Sequence, residues 1–569
     1  MAFVLIGIII LMMPYYFKTF GPEKGEPGET ASDEFRSADT TISESRVSRV
    51  PERTEPAVVE EPLSSEEVAG GIIWQDSTAA EPAQVTIETP LYRALIDCRG
   101  ARIASFKLKQ FSDRRGGVTE VIMLRPDGGN YPSAYLKFYR MGLSTSELIF
   151  EPSLGGLRLS EGQTGEIAFT ARLKNGGYIR NTFRFDGSDY RIDLQSESSG
   201  IRLDSDYYFA WDGNVNVTEP DTVDDVRYGK AYALMGGELE KLDAPGRGER
   251  RLNPSGKVDW MALRSKYFII GVIPSDNSAG IDFVAAKLSG AKTAFKEFQL
   301  ALKMDNPEGR LNQKYTLYIG PIDSKRLRSL GVGMENTMSW GWTLIKPFSI
   351  AVLWAFKLIH QIVPNYGVVI IIFSILIKVI LWPLTHKSYV SMRKMSKLQP
   401  LMKELREKYK GDPQKMQKAT AQLYKEHKVN PLGGCLPTLL QMPLLIALFI
   451  VFRSTIELRG EPFFWWIKDL SLPDNIINLG VNIPLYGRYV AVLPLLMGIT
   501  TYLQSKQSMT DPNQKMMIYF MPIFLVLMFN NFPSGLTLYY TLFNVLSVIQ
   551  QNMAKTDEDE PKKIEKAKA

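Results

Sequence analysis

Lys378 lies in IIIFSILIKVILW, a stretch that is otherwise almost entirely apolar. A charge at bilayer depth costs about 2.5–3.5 kcal/mol on insertion scales, so its presence demands either an escape route or a function. The escape route is snorkelling. Leu384 lies six residues on, about 9 Å along a helix axis, so the ammonium can reach nearby headgroups. The functional reading is a positive charge facing a water-filled cavity between helices. Ser374, four residues earlier, falls on the same helix face. Other apolar runs carry polar stripes: Thr438 with Gln441, and Thr537, Tyr540, Thr541, Asn544 and Ser547 at helical spacing. Singly, such residues hydrogen-bond one helix to another. Several stripes together with one lysine predict a shared hydrophilic interior.

Other chemistries find little support. The three histidines, His360, His386 and His427, and the two cysteines, Cys98 and Cys435, form no metal-ligand spacing. No metal and no cofactor are expected. Apart from the boundary residue Glu457, the apolar runs hold no Asp or Glu, where a proton-coupled transporter normally places carboxylates. No intramembrane histidine is available as a base for a serine-histidine site. No Gly-rich phosphate loop precedes a helix.

The elements that position these residues follow from the apolar pattern. Tyr366 to Leu384 is long enough to span a bilayer. Further apolar runs occupy Leu432 to Ile456, Tyr489 to Tyr502, Met516 to Phe529 and Leu536 to Ile549. Ala2 to Phe17 is another; it lacks a small-x-small cleavage site and reads as an uncleaved anchor rather than a signal peptide. That makes six spans. Lys346 to Val363, with Lys346, Lys357 and His360 among apolar residues, reads as an amphipathic helix on the membrane surface. Thr385 to Pro431 holds 12 Lys or Arg against 4 Asp or Glu, which marks it as cytoplasmic. Alternation then places both termini in the cytoplasm. It places the loop Arg459 to Gly487, with Trp465 and Trp466, on the outside.

The basic loop predicts a hairpin of two helices, the first from Ser388, broken at Gly411-Asp412-Pro413. Arg393, Lys394, Met395 and Lys397 are its candidate contact residues. Methionine adapts to varied apolar partners and lysine attracts phosphates, so this hairpin is either a charged anchor or a landing surface for nascent chains or ribosomal RNA.

Two segments complete the chain. Between Gly21 and Gly70 there are 13 acidic and 5 basic residues and almost no aromatics, a composition too polar to order itself. From Gln84 to Pro321 the pattern turns to period two, as in YRIDL at Tyr190 and YTLYI at Tyr315. A hairpin is predicted at Asn175-Gly176-Gly177. Regularly spaced short strands suggest one large β-sandwich, with Phe169, Leu173, Phe183, Phe268 and Ile270 in its core. No carboxylate pair stands out as catalytic, although a sugar-binding cleft remains a competing use of this domain.

Five segments carry a resemblance to a known family. VNPLGGCLPTLLQMP from Val429 resembles the hallmark of YidC insertases that opens their third span. FPSGLTLYYTLFNVLSVIQQ from Phe532 resembles the family's last span, and Asp511-Pro512 followed by MMIYFMP its fifth-span entry. WMALRSKYFIIGVIP from Trp260 and LYIGP from Leu317 resemble the end of the large periplasmic domain of Gram-negative members.

The resemblance implies an α-helical polytopic bundle of six spans with a five-helix insertase core, plus an all-β periplasmic super-sandwich similar to galactose mutarotase. It implies a hydrophilic groove open to cytoplasm and lipid, lined by Lys378, Ser374, Gln441, Thr438, Thr537, Tyr540 and Asn544. The family's groove charge is usually arginine; lysine keeps the sign without the planar fork. Expected partners are nascent membrane proteins, the Sec translocon, the ribosome in transient contact, and lipid, with no small-molecule substrate and no catalysis. The tail after Gln551 departs from members with long basic tails, since Lys555 to Ala569 holds five lysines and five acids. The expected organisation is a first transmembrane anchor at 1–20, a tether at 21–83, the periplasmic domain at 84–330, and a linker with interfacial helix at 331–365. The core follows at 366–554, containing the cytoplasmic hairpin 385–431, and the tail occupies 555–569. The expected activity is insertion and chaperoning of newly made inner-membrane proteins. The competing class is a small-solute transporter, which would need a route open to each side in turn.

Overall fold

The computed structural model describes residues 83–114, 120–124, 132–138, 141–173, 175–245, 248–275, 278–288, 295–427, 436–484, 486–508 and 515–559. The expected anchor and tether before residue 83, the hallmark residues 429–435 and the tail beyond Asp559 lie outside them. The chain divides into two units, residues 1–68 and 69–569, and everything described belongs to the second.

The period-two region folds into three sheets. The largest has nine strands, in the spatial order Glu238–Leu242, Lys230–Met235, Val258–Arg264, Phe268–Pro274, Asn312–Pro321, Arg191–Ser199, Tyr178–Asp186, Thr164–Arg172 and Glu151–Pro152. A six-stranded sheet centred on Phe295–Asp305 and Asp206–Asp212 packs against it. The rings of Phe209 and Tyr315, one from each sheet, stack at 3.9 Å, and the Tyr207 and Tyr315 hydroxyls lie 3.1 Å apart. A five-stranded sheet built on Gln84–Glu88 and Tyr92–Asp97 joins through Tyr92, whose ring lies 6.3 Å from that of Tyr190. The Asn175-Gly176-Gly177 turn joins two nine-residue strands in register, Tyr178 opposite Arg172. Gly176 sits at φ +81°, where a side chain would be strained. Phe169, Leu173, Phe183, Phe268 and Ile270 are all buried.

The helices begin inside the β region. α1 (Thr222–Tyr228) and α2 (Ser324–Ser329) lie within and after the sheets. α3 (Lys346–His360) buries Val352, Leu353 and Phe356 and leaves Trp354 and Leu358 exposed, the amphipathic pattern its sequence requires. α4 (Tyr366–Lys397) starts at Asn365, whose side chain accepts from the Val368 amide at 3.1 Å. α5 (Gln399–Lys408) and α6 (Pro413–Glu426) follow. α7 (Leu436–Ser454), α8 (Val492–Ser508), α9 (Lys515–Phe529) and α10 (Ser534–Asp559) complete the series.

α10 packs on both α8 and α4, α9 packs on α8, and α3 packs on α7. Gly498 permits the α8–α9 approach: a Cβ there would collide with the Val526 side chain. Large apolar side chains stay exposed at helical spacing, as at Leu376, Val379 and Ile380 on α4, Leu495, Leu496, Ile499 and Leu503 on α8, and Tyr519, Phe520 and Ile523 on α9. Among the described residues one helix, α4, is both long and apolar enough to cross a membrane; Gln441–Ser454 and Ile518–Phe529 are shorter apolar stretches.

Two expectations about elements are corrected. No separate helix starts at Ser388: α4 runs unbroken through Pro383 to Lys397, and the helical pair of the basic loop is α5 and α6. Arg393, Lys394, Met395 and Lys397 therefore ride on the C-terminal prolongation of α4. The break falls at Leu398, where Pro400, lacking an N–H, suits the first turn of a new helix. The run from Tyr489 is not helical at its start. Gly487–Ala491 is a strand paired with Asn475–Ile483, and the helix begins only at Val492.

Candidate functional site

α4 presents Lys378 toward α10. Its ammonium donates to Ser547 Oγ at 2.7 Å, lies 4.4 Å from the centre of the Phe543 ring and 5.7 Å from that of Tyr389. The residue is only 3% exposed. Ser547 in turn donates to the Phe543 carbonyl at 2.7 Å. One turn further along the same seam, Thr385 and Gln550 hydrogen-bond side chain to side chain at 2.9 Å, and Gln550 Nε2 also reaches the Trp382 carbonyl at 3.3 Å. Pro383 lacks the N–H that would pair with the Val379 carbonyl, so the Gln550 bond lies beside the proline without replacing that donor.

The adjoining stripe of α10 forms a second polar seam, with α8. Asn544, buried, donates to Thr501 Oγ1 at 2.8 Å and approaches Thr500 Oγ1 at 3.4 Å. Lys378 and Asn544 therefore meet through neighbouring stripes of one helix, since Asn544 and Ser547 lie three residues apart, about 60° around its axis.

The remaining candidates divide. Ser374 and Thr537 are buried and donate to carbonyls of their own helices, Ile370 at 2.6 Å and Pro533 at 3.3 Å. Tyr540 is half-buried with its ring 5.7 Å from that of Phe529. Gln441, half-buried on α7, and Tyr539, buried on α10, interact side chain to side chain. Thr438 lies on α7, but its side chain is outside the described set. The structure thus joins Lys378 and Asn544 through α10 and leaves Ser374 and Thr537 bonded within their own helices. Lys394 and Lys397 are exposed, while Arg393 and Met395 are half-buried.

A second charged cluster, not foreseen from the sequence, ties the β-domain to α3, to the C-terminal end of α7 and to the segment that follows it. Asp224 on α1 pairs with Lys266 at 2.9 Å and with Arg453 in the last turn of α7. Burial alone would raise the Asp224 carboxyl, but the two cations outweigh it and hold it at about 2. Glu219 pairs with Arg459 at 2.7 Å and with Arg114 at 2.9 Å, and Arg114 also meets Asp469 at 2.5 Å. Lys357 on α3 bridges Asp323 at 3.3 Å and Glu457 at 2.5 Å. Partners such as Glu219 and Arg459 are 240 residues apart in the chain, so nothing in the local pattern could have paired them.

Comparison with known proteins adds the following. Residues 84–350 match a family model described as the YidC periplasmic domain, and residues 358–561 one described as 60Kd inner membrane protein. The membrane protein insertase YidC of Chlorobaculum parvum is 36% identical, covering 98% of this chain and 94% of the relative. That of Chlorobium luteolum is 37% identical, covering 96% and 93%. A crystal structure of active YidC insertase with its first transmembrane domain resolved is 18% identical, with a TM-score of 0.36, covering 83% of this chain and 92% of that one.

Proposed function

The chain belongs to the YidC family of membrane protein insertases, and from that premise we propose how its own residues do the work. It inserts and helps fold newly made inner-membrane proteins, alone or with the Sec translocon, with the ribosome as a transient partner. Its spans are six, the anchor near the N-terminus plus α4, α7, α8, α9 and α10. The termini and the α5–α6 pair face the cytoplasm and the β-domain faces the periplasm. The boundaries are those set out above, with the β-domain from residue 84 and the helical core from 366. The chain acts without a cofactor and without a catalytic step.

The observation that carries this reading is Lys378, a charge held inside the helical bundle by Ser547 and, among the described residues, by no carboxylate. A lysine neutralised by Asp or Glu would be a closed structural pair. One hydrogen-bonded to a hydroxyl keeps its charge available to an entering anion. Exchanging Ser547 for a substrate carboxylate gives up one hydrogen bond, worth about 0.5–1.5 kcal/mol net, and gains a charge-assisted one roughly twice as strong. An acidic flank of the substrate enters between α4 and α10, and the Thr385–Gln550 pair on the cytoplasmic side offers it further polar partners. The substrate's apolar helix meanwhile slides into lipid along α7 and α9, and its burial in hydrocarbon supplies the driving force. The transporter reading has no observation behind it.

Site-specific crosslinking of a ribosome-bound nascent membrane protein tests this. Photoreactive residues at positions facing outward on α7 and α9 are expected to capture the nascent apolar segment, and positions on the β-domain surface are not. Capture only by the β-domain, or by no helix at all, would refute the route.

A further inference from the structure

The strand pair formed by Asn475–Ile483 and Gly487–Ala491 stands at the boundary where the helices end on their outer side. Its base is fastened there. The Asn530 side chain, just beyond α9, accepts from the Ala491 amide at 3.0 Å and donates to the Tyr486 and Tyr489 carbonyls at 2.7 and 2.6 Å. Asp474, immediately before the first strand, accepts from the Val492 and Leu493 amides that open α8 and from the Trp466 indole at 2.9 Å. Gly487, at φ +94°, lies where a Cβ would strike the Asn531 side chain at 2.5 Å. The second strand thus runs straight into a helix whose exposed face is Leu495, Leu496, Ile499 and Leu503.

Beyond that base the hairpin is bare. Ile476, Ile477, Val481, Ile483 and Tyr489 are all exposed, and across residues 475–491 the only charged side chain is Arg488. A lone two-stranded hairpin is marginal in water, and this one would also place large aliphatic groups there. Successive side chains on a strand point to opposite faces, and Ile476 and Ile477 are 52% and 57% exposed. Ile477 shares its face with Leu479, and Ile476 shares the other with Asn478, so one side of the ribbon is the more apolar. The ribbon runs directly into the exposed apolar face of α8, and the apolar medium that covers that face covers the apolar side of the ribbon as well. Close by, Phe464 and Trp465 stack at 4.7 Å and are both exposed; Trp465 is held at φ +52°. Indoles of this kind favour the headgroup level.

We infer that the hairpin 475–491, together with Phe464 and Trp465, is an anchor immersed in the headgroup and upper acyl layer of the outer leaflet. Arg488 sits at its base, where a long cationic side chain reaches lipid phosphate. The anchor fixes the outer ends of α8 and α9, one of the two helices along which the substrate is proposed to leave. The inference rests on the outward placement of this loop in the proposed topology.

The test uses the full chain, with Cys98 and Cys435 replaced by serine, in nanodiscs holding one copy each. A single cysteine at Val481 carries an environment-sensitive fluorophore, with Ile477→Cys as a second site and Glu238→Cys, exposed on the β-domain, as the aqueous control. Labels at 481 and 477 are expected to emit at blue-shifted wavelengths, to lose most of their emission to headgroup-level nitroxide lipid, and to resist aqueous iodide. The label at 238 should behave in the opposite way. Iodide quenching at 481 and 477, or protection from both quenchers, would overturn the inference, the first outcome meaning water and the second packing against protein. Neither outcome touches the insertase reading, which the crosslinking experiment addresses separately.

Discussion

Replacing Glu219 by glutamine should loosen the seam between the β-domain and the helices more than any other single change to it. The Glu219 side chain is 2% exposed and serves two arginines, Arg459 at 1% exposure and Arg114 at 7%. Asp469 still neutralises Arg114 after the change. Among the described residues Arg459 then keeps only the Ser112 carbonyl, at 3.0 Å, and the faces of the Phe268 and Tyr267 rings. One buried guanidinium is then uncompensated, and breaking a buried pair from one side costs about 3–5 kcal/mol. For a domain of this size that corresponds to a fall in unfolding temperature of roughly 6–20 °C. Thermal unfolding in nanodiscs, followed by tryptophan fluorescence, reads the shift. The double variant Glu219→Gln, Arg459→Met removes both charges and should recover most of the loss, because coupled residues do not act additively. If Glu219→Gln unfolds with wild type, or the double variant falls by the sum of the two single losses, the seam is not an ionic device and the reasoning fails.

Three further outcomes follow from the same geometry. Asp224 has a folded-state value of about 2, below the ordinary 3.8, so its contribution to stability is fully present above about pH 4 and is lost as pH falls through about 2. Acid titration of the β-domain's unfolding should show that loss, and Asp224→Asn should abolish it. Asn544→Leu removes the bond to Thr501 and should cost about 0.6–1 kcal/mol, the scale of interhelical hydrogen bonds in membranes, measured by chemical denaturation in detergent. Thr385→Val strands the Gln550 side chain against α4 and should raise proteolysis of the α4–α10 region, while Thr385→Ser should not.

How far the fold could be read in the sequence varied with the range of the interaction involved. The Asn175-Gly176-Gly177 hairpin is local: its glycine geometry and the alternating residues on either side dictate it. The helical region after Trp342 is equally local, written in apolar periodicity. The end of α4 is not legible because charged residues after Pro383 suggest a new segment, whereas a proline inside a long helix removes a single hydrogen bond and the packing of α4 on α10 keeps the helix continuous. The 475–491 hairpin is not legible because NIINLGVNIPLYGRYV offers apolar residues to strand and span alike, and the Asn530 and Asp474 clamps decide between them. At the site, Lys378 announced itself by being a charge among hydrocarbons. Its partner Ser547 could be assigned to a helical stripe but not to a particular neighbour, because 169 residues separate the two.

The claim on which the account depends is that the Lys378 charge, not merely its bulk, serves substrates with acidic flanks. Reconstituted vesicles carrying wild type, Lys378→Arg or Lys378→Met, each presented with one substrate in acidic-flanked and neutral-flanked forms, measure it directly. The account expects arginine to sustain insertion of both forms and methionine to impair the acidic form far more than the neutral one. Equal insertion of the acidic-flanked substrate by methionine and wild type would contradict it.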